Sequence, residues 1–508
     1  MSQPLRILML SAEMVPFAKV GGPADVVGAL PKALHNMGHD VRVAMPFYRS
    51  IMSAQFGFST AVEGMEVPLR QSYETTSVRE TTVGSVPVYF VDAPRFFQRE
   101  TIYGYTDDGE RFILFCRAAL ELCRTLDWSP DIIHAHEWHT AIVPNWLHTL
   151  YRDDPIFAHT ATVFTIHNMT LKGIFGHRIL EVAGLANQEF VLPVRVKEET
   201  ENVVGLMERG IIFADAITTV SETYAHEILT SEYGQGLEEL LQHRASRLAG
   251  VLNGIDTETL NPATDPYIAQ QFDKEHLEDR VANKIALQRL AKLTVDPDIP
   301  LIGFISRLSR QKGCDLLNDI LEHIIELGAQ IIIVGTGDSY YHEMFSQFVE
   351  KYPKQAAAHF TFGADWTQPL YAGSDMYLMP SLFEPCGLNQ MIAMRYGSIP
   401  IVRSTGGLTD TVFEFDPQTQ TGTGFVFDKY DDWSFFSAIT RAIQSFRFKD
   451  EWQALMARAM SADHSWQTSA EKYVDIYERA IAWHQQDIEL SHPSDFGDSF
   501  PTPEDIHG

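Results

Sequence analysis

Short aliphatic and β-branched runs alternate with stretches of helical periodicity along most of the chain. LRILMLSAE, HDVRVAMPFY, VPVYFVDA, PDIIHAHEW, ATVFTIHN and DAITTVS mark the first half, and PLIGFISRL, AQIIIVGTGD, SDMYLMPS and SIPIVRSTGG restart the pattern near residue 300. Runs without polar alternation, separated by helix-length segments, predict parallel strands covered by crossover helices. The expected fold class is α/β, with two doubly wound domains facing across a cleft. VLNGIDTETLNP, with its Asn, Gly, Asp and Pro punctuation, puts the boundary around Leu252 to Pro262, giving domains 1–255 and 256–485. Helices are expected at Asp431 to Phe446 and Trp466 to Gln485. The remaining residues, 486–508, hold six acids and no Lys or Arg, and read as a disordered tail.

Composition narrows the function. The chain has 508 residues, more than one hydrophobic core sustains. Its formal charge of −28, from 39 Lys and Arg against 67 Asp and Glu, opposes broad attraction to nucleic acid or an anionic membrane. A neutral polymer meets no such barrier, whereas an anionic substrate needs its cations gathered locally. The four cysteines, Cys116, Cys123, Cys314 and Cys386, form no C-x-x-C pair and suit a reducing cytoplasm. No signal-peptide pattern and no membrane-length apolar run is visible.

Candidate chemistry lies where strands end. After Ser11-Ala12-Glu13, the loop Lys19-Val20-Gly21-Gly22-Pro23-Ala24-Asp25 leads into a helix, and bare backbone N–H groups there suit a phosphate, with Lys19 as a point charge. A glycine turn beside a solvated lysine is an equal alternative, and the loop does not match G-x-G-x-x-G. Ser306-Arg307-Leu308-Ser309-Arg310-Gln311-Lys312-Gly313 places cations after the strand LIGFIS, as a diphosphate at a switch point requires. Glu384-Pro385-Cys386-Gly387 offers a carboxylate at a strand end for sugar hydroxyls, or else only a charge favoured by the helix dipole. Ser404-Thr405-Gly406-Gly407 is another glycine-rich helix start, and Gly335-Thr336-Gly337 another glycine turn.

His134, His136 and His139 in HAHEWH alternate along a strand and invite a metal, but no second ligand cluster completes a catalytic pair, so a polar wall is expected instead. His167-Asn168 ends ATVFTI, where a neutral imidazole can bond a sugar hydroxyl or a developing charge, or serve only structure.

Together, KVGGPADVVGALPKAL, HAHEWH, FTIHN, VLNGID, SRLSRQKG, LFEPCGLNQMIAMRYG, IVRSTGGLTDTV and TGFVF resemble the glycogen and starch synthase family in order and spacing, over roughly residues 5 to 480. The resemblance implies the two-Rossmann, B-type glycosyltransferase fold and retaining transfer of glucose from ADP-glucose, ahead of UDP-glucose, to the non-reducing end of an α-1,4-glucan in the cytoplasm. It implies no cofactor and no metal. By match to its motifs, His167, Arg307, Lys312 and Glu384 are the catalytic residues. Lys19, Gly21, Gly22, Asp25, Asn253, Cys386, Gly387, Thr405, Gly406 and Gly407 bind the donor, and Tyr103, His136, Glu137, His139 and Asn168 line the acceptor side of the cleft.

The chain departs from the family pattern at Pro23 (usually aliphatic), Glu137 (Asp), Leu382 (Arg) and Leu171-Lys172 (Tyr-Gln), which bears on acceptor preference and turnover more than on reaction class. Two other readings stand beside this one: a transferase of the same fold acting on sucrose, trehalose or lipid-linked acceptors, and a glucan-binding protein without catalysis. The K-V-G-G and EPCGLNQ pair opposes the first, and the intact Lys19, Arg307, Lys312 and Glu384 oppose the second.

Overall fold

The computed structural model describes residues 3–52, 56–185 and 203–490. They fall into two compact units: the described parts of Met1–Val220, Ala225–Val251 and Ser469–Gly508 form one, and Leu252–Thr468 with Ser221–Tyr224 the other. The chain passes from the first unit to the second between Val251 and Leu252. The return of the chain to the first unit at Ser469 was not expected.

In the first unit the strands are β1 (Arg6–Leu10), β2 (Asp40–Pro46), β3 (Ser59–Leu69), β4 (Ser72–Val83), β5 (Val86–Asp92), β6 (Ile132–His136), β7 (Ala161–Ile166), a separate pair β8 (Ile174–Gly176) and β9 (Val203–Gly205), then β10 (Ala216–Thr219) and β11 (Leu248–Gly250). The main sheet runs β11-β10-β7-β6-β1-β2-β5-β4-β3. It is parallel from β11 to β5 and ends in the antiparallel hairpin β3–β4. The order reverses at β1 and β6, so the crevice beyond their carboxyl ends is the switch point.

The helix Gly22–Asn36 starts from an extended Gly21 and takes Pro23 in its first turn, where a missing N–H costs nothing. Gly28 is required by packing: a Cβ there would sit 2.2 Å from Val15 Cγ2. The helix Trp466–Leu490 runs past the expected end at Gln485. Its Tyr473, Tyr477 and Ala480 are fully buried. Asp487, assigned from sequence to the acidic tail, pairs with Arg247 at 2.9 Å, which draws the helix onward. The rest of that tail, 491–508, lies outside the described residues.

In the second unit, β12 (Leu301–Ile305), β13 (Gln330–Val334), β14 (Ala356–His359), β15 (Met376–Met379), β16 (Ile399–Arg403) and β17 (Phe425–Phe427) make an all-parallel sheet in the order β14-β13-β12-β15-β16-β17. Its order reverses between β12 and β15, both fully buried. A buried ion pair ties the sheet to its helices: Lys284 Nζ lies 2.6 Å from Asp375 Oδ2, and the same carboxylate oxygen accepts the Leu301 N–H at 2.8 Å. Arg280 Nη1 stands 4.0 Å from the other carboxylate oxygen of Asp375, so loss of Lys284 removes one charge-assisted hydrogen bond and leaves a second cation in place. Lys284→Ala should therefore lower the stability of this unit by about 1.5 to 3 kcal/mol, read as a shift of its denaturant midpoint; a change below about 1 kcal/mol would show that Asp375 is satisfied without the lysine.

Candidate active site

Two carboxylates shape the end of the first sheet. Beyond β1, Ser11 Oγ donates to the Glu13 carbonyl at 2.7 Å and fixes the turn. The Glu13 carboxylate, buried, then accepts the backbone N–H of Val20 and of Gly21, the latter at 2.8 Å, and the Tyr103 hydroxyl at 2.6 Å. The glycine loop is thus drawn over the strand end by an acid, and Tyr103 is held with its ring stacked on His139 at 4.8 Å. Lys19 projects into solvent and pairs with Asp25 at 2.7 Å. Gly22 has open space where a Cβ would lie.

Beyond β6, Glu137 adopts φ 64° and turns its side chain back onto β7. Its Oε1 accepts the N–H groups of His167 at 2.7 Å and Asn168 at 3.0 Å. Its Oε2 is enclosed without a partner among the described residues. Burial pushes this carboxyl up to about 8. His136 Nδ1 and His167 Nε2 are 3.0 Å apart, and His136 Nε2 is enclosed and unpartnered among the described residues. An orphaned buried acceptor is less costly than an orphaned N–H. The favoured tautomers therefore have His136 donating through Nδ1, leaving His167 with its proton on Nδ1 as an outward donor. His134 sits deeper, bonded to the Tyr477 hydroxyl at 2.8 Å and to Thr165 Oγ1 at 2.6 Å. Burial lowers His134, His139 and His167 to about 3, and His136 well below its ordinary value, so all four rings are neutral. Among the described residues no group of His, Cys, Asp and Glu is arranged to hold a metal.

The second unit gathers its chemistry at the β12/β15 switch point. Lys312 Nζ lies 2.5 Å from Glu384 Oε2, which also accepts the Ser381 hydroxyl at 3.0 Å. Gly313, at φ 76°, lets the cationic loop press on β15: a Cβ would meet the Pro380 carbonyl oxygen at 2.2 Å. Arg307 is exposed, and among the described residues its guanidinium bonds to Gln311 Oε1, at 2.9 Å, and not to Glu384. It nevertheless lines the same pocket as Lys312, a space of about 140 Å³ that also takes in Ser306, Ser381, Asn389 and Phe362.

The backbone of Glu384 to Gly387 is clasped by the loop after β16. A Cβ on Gly407 would lie 2.2 Å from the Cys386 carbonyl oxygen, and its N–H already points at the carbonyls of Glu384 and Pro385, each at 3.2 Å. The Gly407 N–H is therefore turned inward, away from any phosphate; its glycine is needed for close backbone approach. Thr405 caps this short helix with extended backbone. Cys386 is buried, its thiol pushed up to about 12, and it accepts a hydrogen bond from the Asn253 backbone. Gln390 Nε2 holds the carbonyls of Cys386 at 3.1 Å and Gly387 at 2.8 Å.

Of the departures from the family pattern, Leu382 donates its N–H to the Gln311 carbonyl at 2.8 Å, and its own carbonyl accepts from Arg403. Leu171 is exposed, and Lys172 Nζ bonds the Gln235 carbonyl at 2.8 Å. Two residues at these sites escape sequence reasoning. Glu13 was visible only as a strand end. Phe362 lies beyond β14 with its ring exposed in the pocket of Arg307 and Lys312; an isolated phenylalanine carries no spacing signal.

Two doubly wound units, each with polar groups converging on its switch point, define a two-Rossmann glycosyltransferase. Residues 6–243 match the starch synthase catalytic domain and residues 288–453 the glycosyl transferases group 1 domain. Relatives include the glycogen synthase of Thermotoga petrophila, 44% identical over 94% of this chain and 99% of its own length, and that of Desulforudis audaxviator, 45% identical over 94% and 97%. Among solved structures, the catalytic domain of starch synthase IV from Arabidopsis thaliana, bound to ADP and acarbose, superposes with a TM-score of 0.88 at 36% identity, covering 94% of this chain and 100% of that one. Sucrose-phosphate synthase from Thermosynechococcus elongatus, at 17% identity and a TM-score of 0.58, shares the fold. The chain belongs to the glycogen and starch synthase family, and it is a glycosyltransferase. Among the described residues no helix is long and apolar enough to cross a membrane.

The buried rings set a pH dependence. A histidine lowered from 6.5 to about 3 stays neutral in the fold and charges when unfolded, so its stability contribution is present above 6.5 and lost as pH falls toward 3. Glu137, raised from 4.5 to about 8, has the opposite sign: its contribution is complete below 4.5 and lost as pH rises through 8. Unfolding free energy of the first unit should fall below pH 6.5 by up to about 1.4 kcal/mol per pH unit for each ring, and His134→Asn should flatten that slope by one ring's share. An unchanged slope in His134→Asn would mean that His134 is protonated in the fold.

Proposed function

We propose that this enzyme transfers glucose from ADP-glucose to the non-reducing end of an α-1,4-glucan with retention of configuration. The observation that carries the reading is that Lys312, paired with Glu384, lines one pocket together with Arg307. In a chain of net charge −28, such a gathering of cations answers the need to neutralise an anionic leaving group. ADP in the Arabidopsis relative supports adenosine diphosphate as that group. Phe362 offers a flat apolar face beside it.

In the proposed reaction the bond between the glucose anomeric carbon and the diphosphate oxygen breaks, and the acceptor hydroxyl oxygen bonds to that carbon from the same face. Its proton passes to the departing diphosphate. Lys312 has three N–H donors; one meets Glu384, leaving two for phosphate oxygens. Glu384, oriented by Lys312 and Ser381, supports the sugar as it gains positive charge, and His167 donates from Nδ1 to a sugar hydroxyl. Lys19, Gly21, Gly22 and Asp25 are assigned to the donor, with Asn253, Cys386, Gly387, Thr405 and Gly406 behind the Glu384 loop. Gly407 supports that loop. Tyr103, His136, Glu137, His139 and Asn168 are assigned to the acceptor side.

Arg307→Ala gives the cleanest test, because Lys312→Ala also strands a buried carboxylate. Negative charge grows on the diphosphate as the bond breaks, so a fixed cation matters most in the transition state. Arg307→Ala should lower kcat at saturating ADP-glucose by about 100- to 1,000-fold with the fold intact. If only KM rises, Arg307 supplies uniform binding. Labelled ADP-glucose and UDP-glucose offered with glycogen test the donor, and NMR of the new linkage tests retention; faster transfer from UDP-glucose, or a β linkage, would overturn the corresponding part of the proposal.

A further inference from the structure

The second unit holds another cavity, of about 300 Å³, sharing no lining residue with the pocket of Arg307 and Lys312. That volume is at the lower end of the range for small-molecule sites. The guanidinium of half-buried Arg395 makes no hydrogen bond and no ion pair among the described residues, and its Nε is enclosed without a partner. Lys274, exposed at the rim, is likewise unpaired among the described residues. His464 contributes an enclosed, unpartnered Nε2. The one carboxylate present, Asp463, is already committed: it accepts the Ser465 N–H at 2.9 Å and the Thr468 hydroxyl at 3.1 Å.

A helix-terminal arginine normally finds carbonyls or a carboxylate, and a guanidinium with an enclosed, unbonded N–H pays a desolvation cost. With 67 acids in the chain, an arginine and a lysine left unpaired in one concavity point to a ligand that is itself anionic. The donors, a planar fork and an ammonium, beside a neutral imidazole, suit the tetrahedral oxygens of a phosphate group. Met391 and Met460 add an apolar wall against which a sugar ring would pack. Both segments through which the chain leaves this unit contribute as well, joined where Ile255 pairs with Ser465. We infer that this cavity is a second binding site, for a phosphate-bearing small molecule, held by Arg395, Lys274 and His464 and separate from the donor pocket.

The test uses the full chain carrying Arg307→Ala, which removes an exposed cation from the donor pocket. Titration calorimetry with inorganic phosphate and, in a second arm, glucose 1-phosphate should show saturable binding in that background. Adding Arg395→Gln or Lys274→Ala should weaken it by about tenfold, the effect of losing one charge-assisted contact. Glucose 1-phosphate binding much more tightly than phosphate would identify a sugar phosphate as the ligand; equal affinity would identify phosphate itself, and either result supports the site. Absence of saturable binding in Arg307→Ala overturns the inference. So does unchanged affinity in Lys274→Ala, a variant at an exposed position that decides the matter even if Arg395→Gln fails to fold.

Discussion

The ion pair between Lys312 and Glu384 is the contact on which the second unit's working end depends. Its two residues come from loops after different strands, β12 and β15, and an attraction at 2.5 Å with little solvent around it tolerates no slack in either loop. The surrounding glycines follow from that demand. Gly313 lets the cationic loop reach the Pro380 carbonyl, and Gly406, at φ 46°, lets the third loop lie on the Glu384 carbonyl, where a Cβ would be 2.1 Å away. Arg403 then pins the Ser381 carbonyl at 2.8 Å. Side-chain charge sets the position, and bare backbone makes it reachable.

The first unit solves a comparable problem with carboxylates alone. Glu13 and Glu137 each accept two backbone N–H groups, one folding the glycine loop over β1, the other orienting His167 beyond β7. An acid used this way is a scaffold for donors. It also explains how Glu137, a departure from the family's Asp, is accommodated: a positive φ turns the longer side chain back to the β7 terminus. Aspartate has one methylene fewer for the same span, so the local backbone here is matched to glutamate.

What the sequence made legible were the places where chemistry forces a composition. Parallel strands buried on both faces must be apolar throughout, and loops that approach backbone to backbone must carry glycine, so both sheets and their strand-end motifs stood out. The hairpin β3–β4 did not, because STAVEGMEVPL and SYETTSVRETTV lie at a sheet edge with much of one side in water, which dilutes the apolar signal. Nor did the docking of the helix Trp466–Leu490 on the first unit. Its amphipathic period announces a buried stripe but not which core receives it. Tyr477 meets His134 across 343 residues of chain, a separation no local pattern encodes. Arg307, Lys312 and Glu384 were all legible in their motifs, while the bond between Lys312 and Glu384 was not.

Among the described residues, several enclosed polar atoms without hydrogen-bond partners lie beside the candidate sites. His136 Nε2, Glu137 Oε2, Asn253 Oδ1 and Gln390 Oε1 are all enclosed, and each adjoins a strand end or a glycine loop of a candidate site. Each such atom costs about 1 to 3 kcal/mol if nothing answers it, a large sum against the stability of an ordinary domain. Apolar replacements would relieve that cost, yet Glu137 and Gln390 could not be replaced without freeing the backbone groups they hold. The unanswered atom is then the second half of a side chain whose first half is structural. On a carboxylate or an amide the two halves are inseparable, so the residues that brace these loops carry an unanswered polar atom as part of the bracing.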